Sequence, residues 1–250
     1  MTGLWDSLSL SLTDEPRYTP DQLAEEDAIS EGSQGTVKVS LQDRWAILGV
    51  TKSGKTTFAK RLLEQLRGLY EDVPVYIVDS KASGDFEGMG QVYDGQEPPK
   101  ALRSGCVVWQ PPHDDIGAYG RFFERLLKAR QPGIVLVDEL SSLGGNHGLS
   151  FPNDFNKLLK QGRAHGLCVI NLTQEAAYIP RNVLGQTTHV IGFRLNNPND
   201  RIKRDDYLNR PPALRGQTLP EPSGKFGFFY NRLDGDSTGV AEYESHQDFF

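Results

Sequence analysis

At 250 residues the chain has room for one substantial α/β domain with appendages, not for two full domains. With 37% apolar and 24% charged residues it has the composition of a soluble globular protein, and no run approaches the ~18–20 uninterrupted apolar residues of a membrane span. The net charge of −6 is concentrated: residues 1–43 hold nine acids against Arg17 and Lys38, which leaves the rest close to neutral at +1. That excludes a chain-wide cationic surface for nucleic acid but not a local one, which is all that phosphate contacts require.

In chain order, the opening MTGLWDSLSLSLTDEP has no basic segment before its weakly apolar part and does not read as a signal peptide. Residues 1–36 are acidic, polar and interrupted by Pro16, Pro20, Gly32 and Gly35. They read as a flexible arm with at most a short helix around Asp21–Ala28. VKVSL, from Val37, alternates and predicts an edge strand. WAILG predicts a strand running into a glycine-rich loop, and Phe58, Leu62, Leu63 and Leu66 then give helical spacing. VYIVD and CVVWQP predict further strands, AYGRFFERLLKAR a helix over 117–130, IVLVDEL a strand and 152–164 a helix. LCVINLTQ and HVIGFRL predict two more strands. Strands that are nearly unbroken apolar runs, alternating with helices, predict an α/β fold with a mostly parallel central sheet covered by helices on both faces. The expected core is 37–210. Residues 211–250 form a β extension, ending in a hairpin with Asp234-Gly235 in its turn. Cys106 and Cys168 lie in strand-like runs and read as buried small hydrophobes, which points to an intracellular, cytoplasmic protein.

The loop after the first core strand, Gly49-Val50-Thr51-Lys52-Ser53-Gly54-Lys55-Thr56, fits G-x-x-x-x-G-K-[ST]. Glycines let backbone N–H groups converge on phosphates, Lys55 supplies charge to the β and γ oxygens, and the Thr56 hydroxyl ligates Mg²⁺. The following helix adds its positive N-terminal end. Gly49, Lys52, Ser53, Gly54, Lys55, Thr56 and Thr57 are therefore the expected ATP contacts. Lys52 stands where such loops usually carry a small residue, and can reach the γ-phosphate, a neighbouring subunit or solvent. IVLVDE ends in two acids: Asp138 is expected in the Mg²⁺ shell and Glu139 on the attacking water, which favours hydrolysis over transfer to a metabolite. In QGRAHGLCVINLTQ, Arg163 precedes a core strand and Gln174 follows it, where an amide can reach the γ-phosphate or the water.

These motifs, with VDSK (Asp79, Lys81) and the IPRNVL…FRL…D tail, resemble the HerA–FtsK superfamily of DNA-pumping ATPases over about residues 40–205. The resemblance implies a RecA-like P-loop domain assembled in a ring, most often a hexamer, with ATP between subunits. It also implies Gln174 as the sensor and Arg163 as a finger offered to the neighbour's ATP, with Arg194 a second candidate. The chain matches the motor alone, the architecture of packaging ATPases of membrane-containing viruses. The expected function is ATP-driven translocation of double-stranded DNA through non-specific backbone contacts, packaging a viral or mobile-element genome, with a capsid, portal or membrane-protein docking partner. DNA-facing loops are expected at Ser141–Ser150 and Asn196–Arg204, the latter with Arg201, Lys203 and Arg204. Competing readings are a conjugation or segregation translocase, a nucleotide-dependent assembly or switch ATPase that moves no DNA, and a small-molecule kinase.

Overall fold

The computed structural model describes residues 28–32, 35–112, 115–147, 151–208, 219–233, 240–245, 247 and 249–250. Two short strands, β1 (Ala28–Gly32) and β2 (Gly35–Val39), pair antiparallel from Ala28↔Val39 to Gly32↔Gly35 as a separate two-stranded sheet. The alternating VKVSL segment therefore pairs with residues assigned by sequence to the arm, and it does not form an edge of the main sheet. Asp21–Asp27, most of the expected short helix, lies outside the described residues.

The main sheet has nine strands: β3 (Arg44–Leu48), β4 (Val75–Val78), β5 (Gln91–Tyr93), β6 (Cys106–Trp109), β7 (Gly133–Val137), β8 (Leu167–Thr173), β9 (His189–Phe193), β10 (Phe228–Arg232) and β11 (Ala241–Tyr243). Their spatial order is β11-β10-β9-β3-β8-β7-β4-β6-β5. The seven strands from β9 to β5 are parallel, and β10 and β11 add antiparallel at the β9 edge. This is the mostly parallel α/β sheet the apolar runs predict. The strands of the expected terminal hairpin are present, while its turn lies outside the described residues.

The helices are α1 (Lys55–Leu69), α2 (Ile116–Ala129), α3 (Asn153–Gln161), α4 (Arg181–Leu184) and α5 (Pro198–Tyr207). Alternation along the strands divides the core in two. On one face Trp45, Ile47, Ile170 and Leu172 pack against Phe58, Leu62 and Leu66 of α1. On the other, Val135, Val137 and Val169 pack against Phe122, Phe123 and Leu126 of α2 and Phe155 and Leu158 of α3. Cys168 is buried and Cys106 partly so, both as free thiols whose pKa burial pushes up. Among the described residues, no helix is long and apolar enough to cross a membrane.

NNPNDRIKR is not a loop. Asn197 caps α5, its side chain accepting from Asn199 N, and Pro198 occupies the first turn, where its missing N–H costs nothing. The basic cluster is largely consumed internally. Arg204 is fully buried, donating to Asp205 Oδ1 at 2.9–3.0 Å, to Glu221 Oε2 at 3.5 Å and to the carbonyls of Leu219 and Pro220, while its guanidinium lies 5.4 Å from the Phe229 ring centroid. Arg201 pairs with Glu221 and Lys203 with Asp206. Arg204 thus ties α5 to the segment entering β10. Arg204→Ala is expected to cost about 3–5 kcal/mol by stranding buried Asp205, and Lys203→Ala no more than about 0.5 kcal/mol, as read by denaturant unfolding.

Candidate nucleotide site

The glycine-rich loop leaves β3 at the C-terminal edge of the parallel strands. It is fixed on both sides: Gly49 N donates to Thr173 O at the end of β8, and Val50 N donates to Arg194 O just past β9. A Cβ on Gly49 would come within 2.6 Å of Phe193 Cβ and Ser53 Oγ, and Gly54 takes φ +109°, so both glycines are required by geometry. The start of α1 carries no side-chain cap and no acid in its first turn. Its N–H groups and positive end therefore face the loop and suit an anion in place of a cap. The buried Ser53 Oγ has no hydrogen-bond partner, as expected of a hydroxyl awaiting a phosphate oxygen.

Lys55 is buried with Nζ 2.9 Å from Val50 O, and its pKa is pushed down to about 8. Burial is the main cause; Glu139 opposes it, Lys81 adds to it and Asp138 opposes it. A triphosphate would offset that burial with negative charge. Thr56 is half-buried, Lys52 and Thr57 are exposed, and Lys52 takes a left-handed φ of +63°.

Asp138 and Glu139 follow β7 and are both buried. Glu139 is held at every oxygen: Oε1 accepts from Thr173 Oγ1 at 2.8 Å, Ser141 Oγ at 2.9 Å and Gln174 N at 3.4 Å, and Oε2 accepts from Lys81 Nζ at 2.8 Å. Gln174 reaches the loop itself, its Oε1 accepting from Thr51 Oγ1 at 2.7 Å. Lys55, Asp138, Glu139 and Gln174 are thus gathered at one edge. Sequence reasoning gave Thr173 and Ser141 no part in holding Glu139. Their signal was a hydroxyl residue at the end of a buried strand or two residues past a carboxylate, too common to single out.

Asp138 has a pKa pushed up to about 6, first by burial; Lys81 opposes this, and Asp79, Glu139 and Asp85 add to it. A divalent cation would relieve that cost, and the donors at hand, the Asp138 carboxylate and Thr56 hydroxyl, are hard oxygens suited to Mg²⁺. Among the described residues, no group of three or more His, Cys, Asp or Glu could hold a metal. A raised carboxyl pKa favours folding while the group is protonated, and that benefit is lost as pH rises from about 3.8 through about 6. Nucleotide-free Asp138→Asn, which cannot ionise, is therefore expected to melt above the parent at pH 7.5 and to lose that advantage near pH 4, as read by thermal denaturation.

Arg163 lies elsewhere. It is exposed in the 3₁₀ turn Gly162–His165 that precedes β8, at the opposite edge of the sheet. β8 spans seven residues, or roughly 20 Å at about 3.3 Å per residue, so Arg163 does not reach the loop of its own chain. Buried Arg44 anchors that platform, donating to Leu167 O at 2.6 Å and Leu159 O at 3.4 Å. Arg194 is exposed beside the glycine-rich loop, on the nucleotide edge.

The strand–loop–helix with its paired acids, on a parallel sheet ordered around β3, has the fold of a P-loop NTPase. No family model and no curated protein sequence matches the chain. Among solved structures it is similar to the genome packaging NTPase B204 from Sulfolobus turreted icosahedral virus 2 in complex with AMPPCP. The two are 17% identical with a TM-score of 0.63, covering 82% of this chain and 99% of that one. It is also similar to the pCW3 conjugation coupling protein TcpA with ATPγS, at 16% identity and TM-score 0.59 over 94% of this chain and 72% of that one. The cytoplasmic domain of the Thermomonospora curvata type VII secretion ATPase EccC matches at 16% and 0.59, over 95% of this chain and 32% of that one. The P-loop fold expected from the sequence thus has counterparts in a viral genome packaging NTPase, a conjugation coupling protein and a secretion ATPase.

Proposed function

We propose that the chain is a ring-forming ATPase that moves double-stranded DNA, packaging the genome of a virus or mobile element in the host cytoplasm. The observation that carries this reading is the separation of Arg163 from the P-loop. One edge gathers the phosphate loop, Glu139 and Gln174, and the other presents an exposed arginine. Such an asymmetric pair of edges completes a site only when copies meet head to tail, the kind of interface from which closed rings are built. The fold shared with a packaging NTPase along nearly its whole length adds support.

In this reading ATP lies on the loop with Lys55 on its β and γ oxygens, and Ser53, Gly54 and Thr57 around the phosphates. Thr56 and Asp138 would hold Mg²⁺, which neutralises phosphate charge when bound. Glu139 orients the attacking water and takes its proton. Gln174 senses the γ-phosphate through Thr51, and a neighbour's Arg163 stabilises the charge of the transition state. The domain division is residues 1–36 as the acidic arm, 37–210 as the motor and 211–250 as the extension. With Arg204 buried, DNA contact falls to the Leu140–His147 segment rather than to α5. The shared fold with a conjugation coupling protein keeps DNA transfer between cells as the second reading.

The test is ATP turnover over a range of protein concentrations, with and without double-stranded DNA, beside Lys55→Ala. The expected result is turnover that rises cooperatively with protein, increases with DNA and is abolished in the variant. Turnover linear in protein and indifferent to DNA would leave an ATPase that is no translocase.

A further inference from the structure

The sheet order separates the two ends of a bound nucleotide. The strand entering the phosphate loop, β3, has β8 on one side and β9 on the other. Asp138, Glu139 and Gln174 lie past β7 and β8, so the γ-phosphate end faces that side. The ribose and base of a nucleotide on this loop then extend the opposite way, toward the ends of β9 and β10. Because β10 runs antiparallel with Phe228 opposite Phe193, the residues just before β10 stand at the nucleotide edge.

Phe226 occupies that place. It is 41% exposed, one of few large apolar side chains so exposed among the described residues. A Cβ on Gly54 would lie 3.5 Å from its Cδ1, so the ring stands beside the last glycine of the loop, at the start of α1. The segment that presents it is built tightly. Gly224 takes φ +73°, Gly227 has no room for a side chain against the Ser223 carbonyl, and Ser223 N donates to Glu242 Oε1 at 2.7 Å. Lys225 Nζ sits 5.1 Å from the centroid of the Phe226 ring. An aromatic ring left in water forgoes the free energy of burial, and a nucleobase is a flat partner that recovers it. We propose that Phe226 is the base-stacking residue of the site and binds the purine of ATP, with Lys225 adding positive charge beside the stacked rings. Sequence patterning hid it, because KFGFFY reads as one aromatic strand.

The inference rests on the P-loop being the nucleotide site, and the experiment separates the two. Calorimetric titration with Mg²⁺ would compare ATP with inorganic tripolyphosphate, which lacks ribose and base, on the full chain and on Phe226→Ala, Phe226→Trp and Lys55→Ala. Phe226→Ala is expected to weaken ATP about 5- to 150-fold, the range for losing one stacked base, and to leave tripolyphosphate binding unchanged. Phe226→Trp is expected to keep ATP affinity and to add a fluorescence change, relative to the parent, with ATP but not with tripolyphosphate. Lys55→Ala is expected to weaken both ligands. Parental ATP affinity in Phe226→Ala, or equal loss of both ligands, would overturn the proposal. In the former case a shift in the assembly midpoint would place the ring against a second copy instead. A parent chain that binds neither ligand would overturn the P-loop reading, and this proposal with it.

Discussion

Arg163→Ala is expected to lower ATP turnover by about 10³–10⁵-fold, the range for removing an arginine finger, while each protomer still binds ATP at close to parental affinity. Both halves of that expectation come from position. Arg163 sits before β8, a strand-length away from the glycine-rich loop beyond its end, so its removal does not touch the nucleotide contacts of its own chain. Loss of turnover at parental ATP affinity would therefore come through a neighbour. Mixing supplies the decisive control. Lys55→Ala protomers keep Arg163 but lack the phosphate lysine, and Arg163→Ala protomers keep the lysine but lack the finger. Each preparation alone is expected to be inactive. In an equal mixture roughly a quarter of the head-to-tail interfaces pair an intact loop with an intact arginine, and activity returns. Normal turnover in Arg163→Ala, or no recovery on mixing, removes it as the finger. Arg194, whose carbonyl accepts from Val50 N at the nucleotide edge, is then the residue to change.

The features that were legible in sequence are those that one stretch of chain specifies by itself. Six core strands could be read because strands covered on both faces are unbroken apolar runs, and the glycine-rich loop because its spacing has little freedom. The strand order around β3 was not readable, since each strand is apolar regardless of its neighbour. β5 escaped because its three residues lie at the sheet edge with largely exposed side chains and leave no apolar run. α5 was read as part of a basic DNA-facing loop, although Asn197-Pro198 is a cap followed by a first-turn proline. Its basic character misled further, because Arg204 turns inward to its chain neighbour Asp205 and to Glu221, which folding brings from a separate segment. In the site, Asp138, Glu139 and Gln174 could be named because each follows an apolar strand, and Gln174 N donates to Glu139 in the fold. The hydroxyls of Ser141 and Thr173 that hold Glu139, and the ring of Phe226, depend on packing between separate elements and left no local mark.

Glu139→Gln is expected to reduce turnover by about 10²–10⁴-fold, the range for losing a general base, while ATP and Mg²⁺ remain bound. Lys55→Ala, by contrast, is expected to lose binding itself. The amide keeps the shape and an acceptor for Ser141 and Thr173, but it cannot take a proton from water. It also turns an N–H toward Lys81, where the carboxylate accepts at 2.8 Å. The lysine side chain is 39% exposed against 7% for the glutamate, so the lysine is the partner that swings away. Oε1 accepts from Thr173, Ser141 and Gln174, whereas Oε2 accepts from Lys81 and keeps a lone pair open to a water, so Lys81 orients the carboxylate without blocking it. Lys81→Met should therefore leave turnover far closer to the parent than Glu139→Gln does. Filter binding of labelled ATP beside phosphate release separates the cases: Glu139→Gln should retain nucleotide without releasing phosphate. Phosphate release within a few-fold of the parent would remove Glu139 as the base. Asp79, a further buried carboxylate at that edge, whose oxygens accept from Ser83 and Gln110, would then be the group to replace.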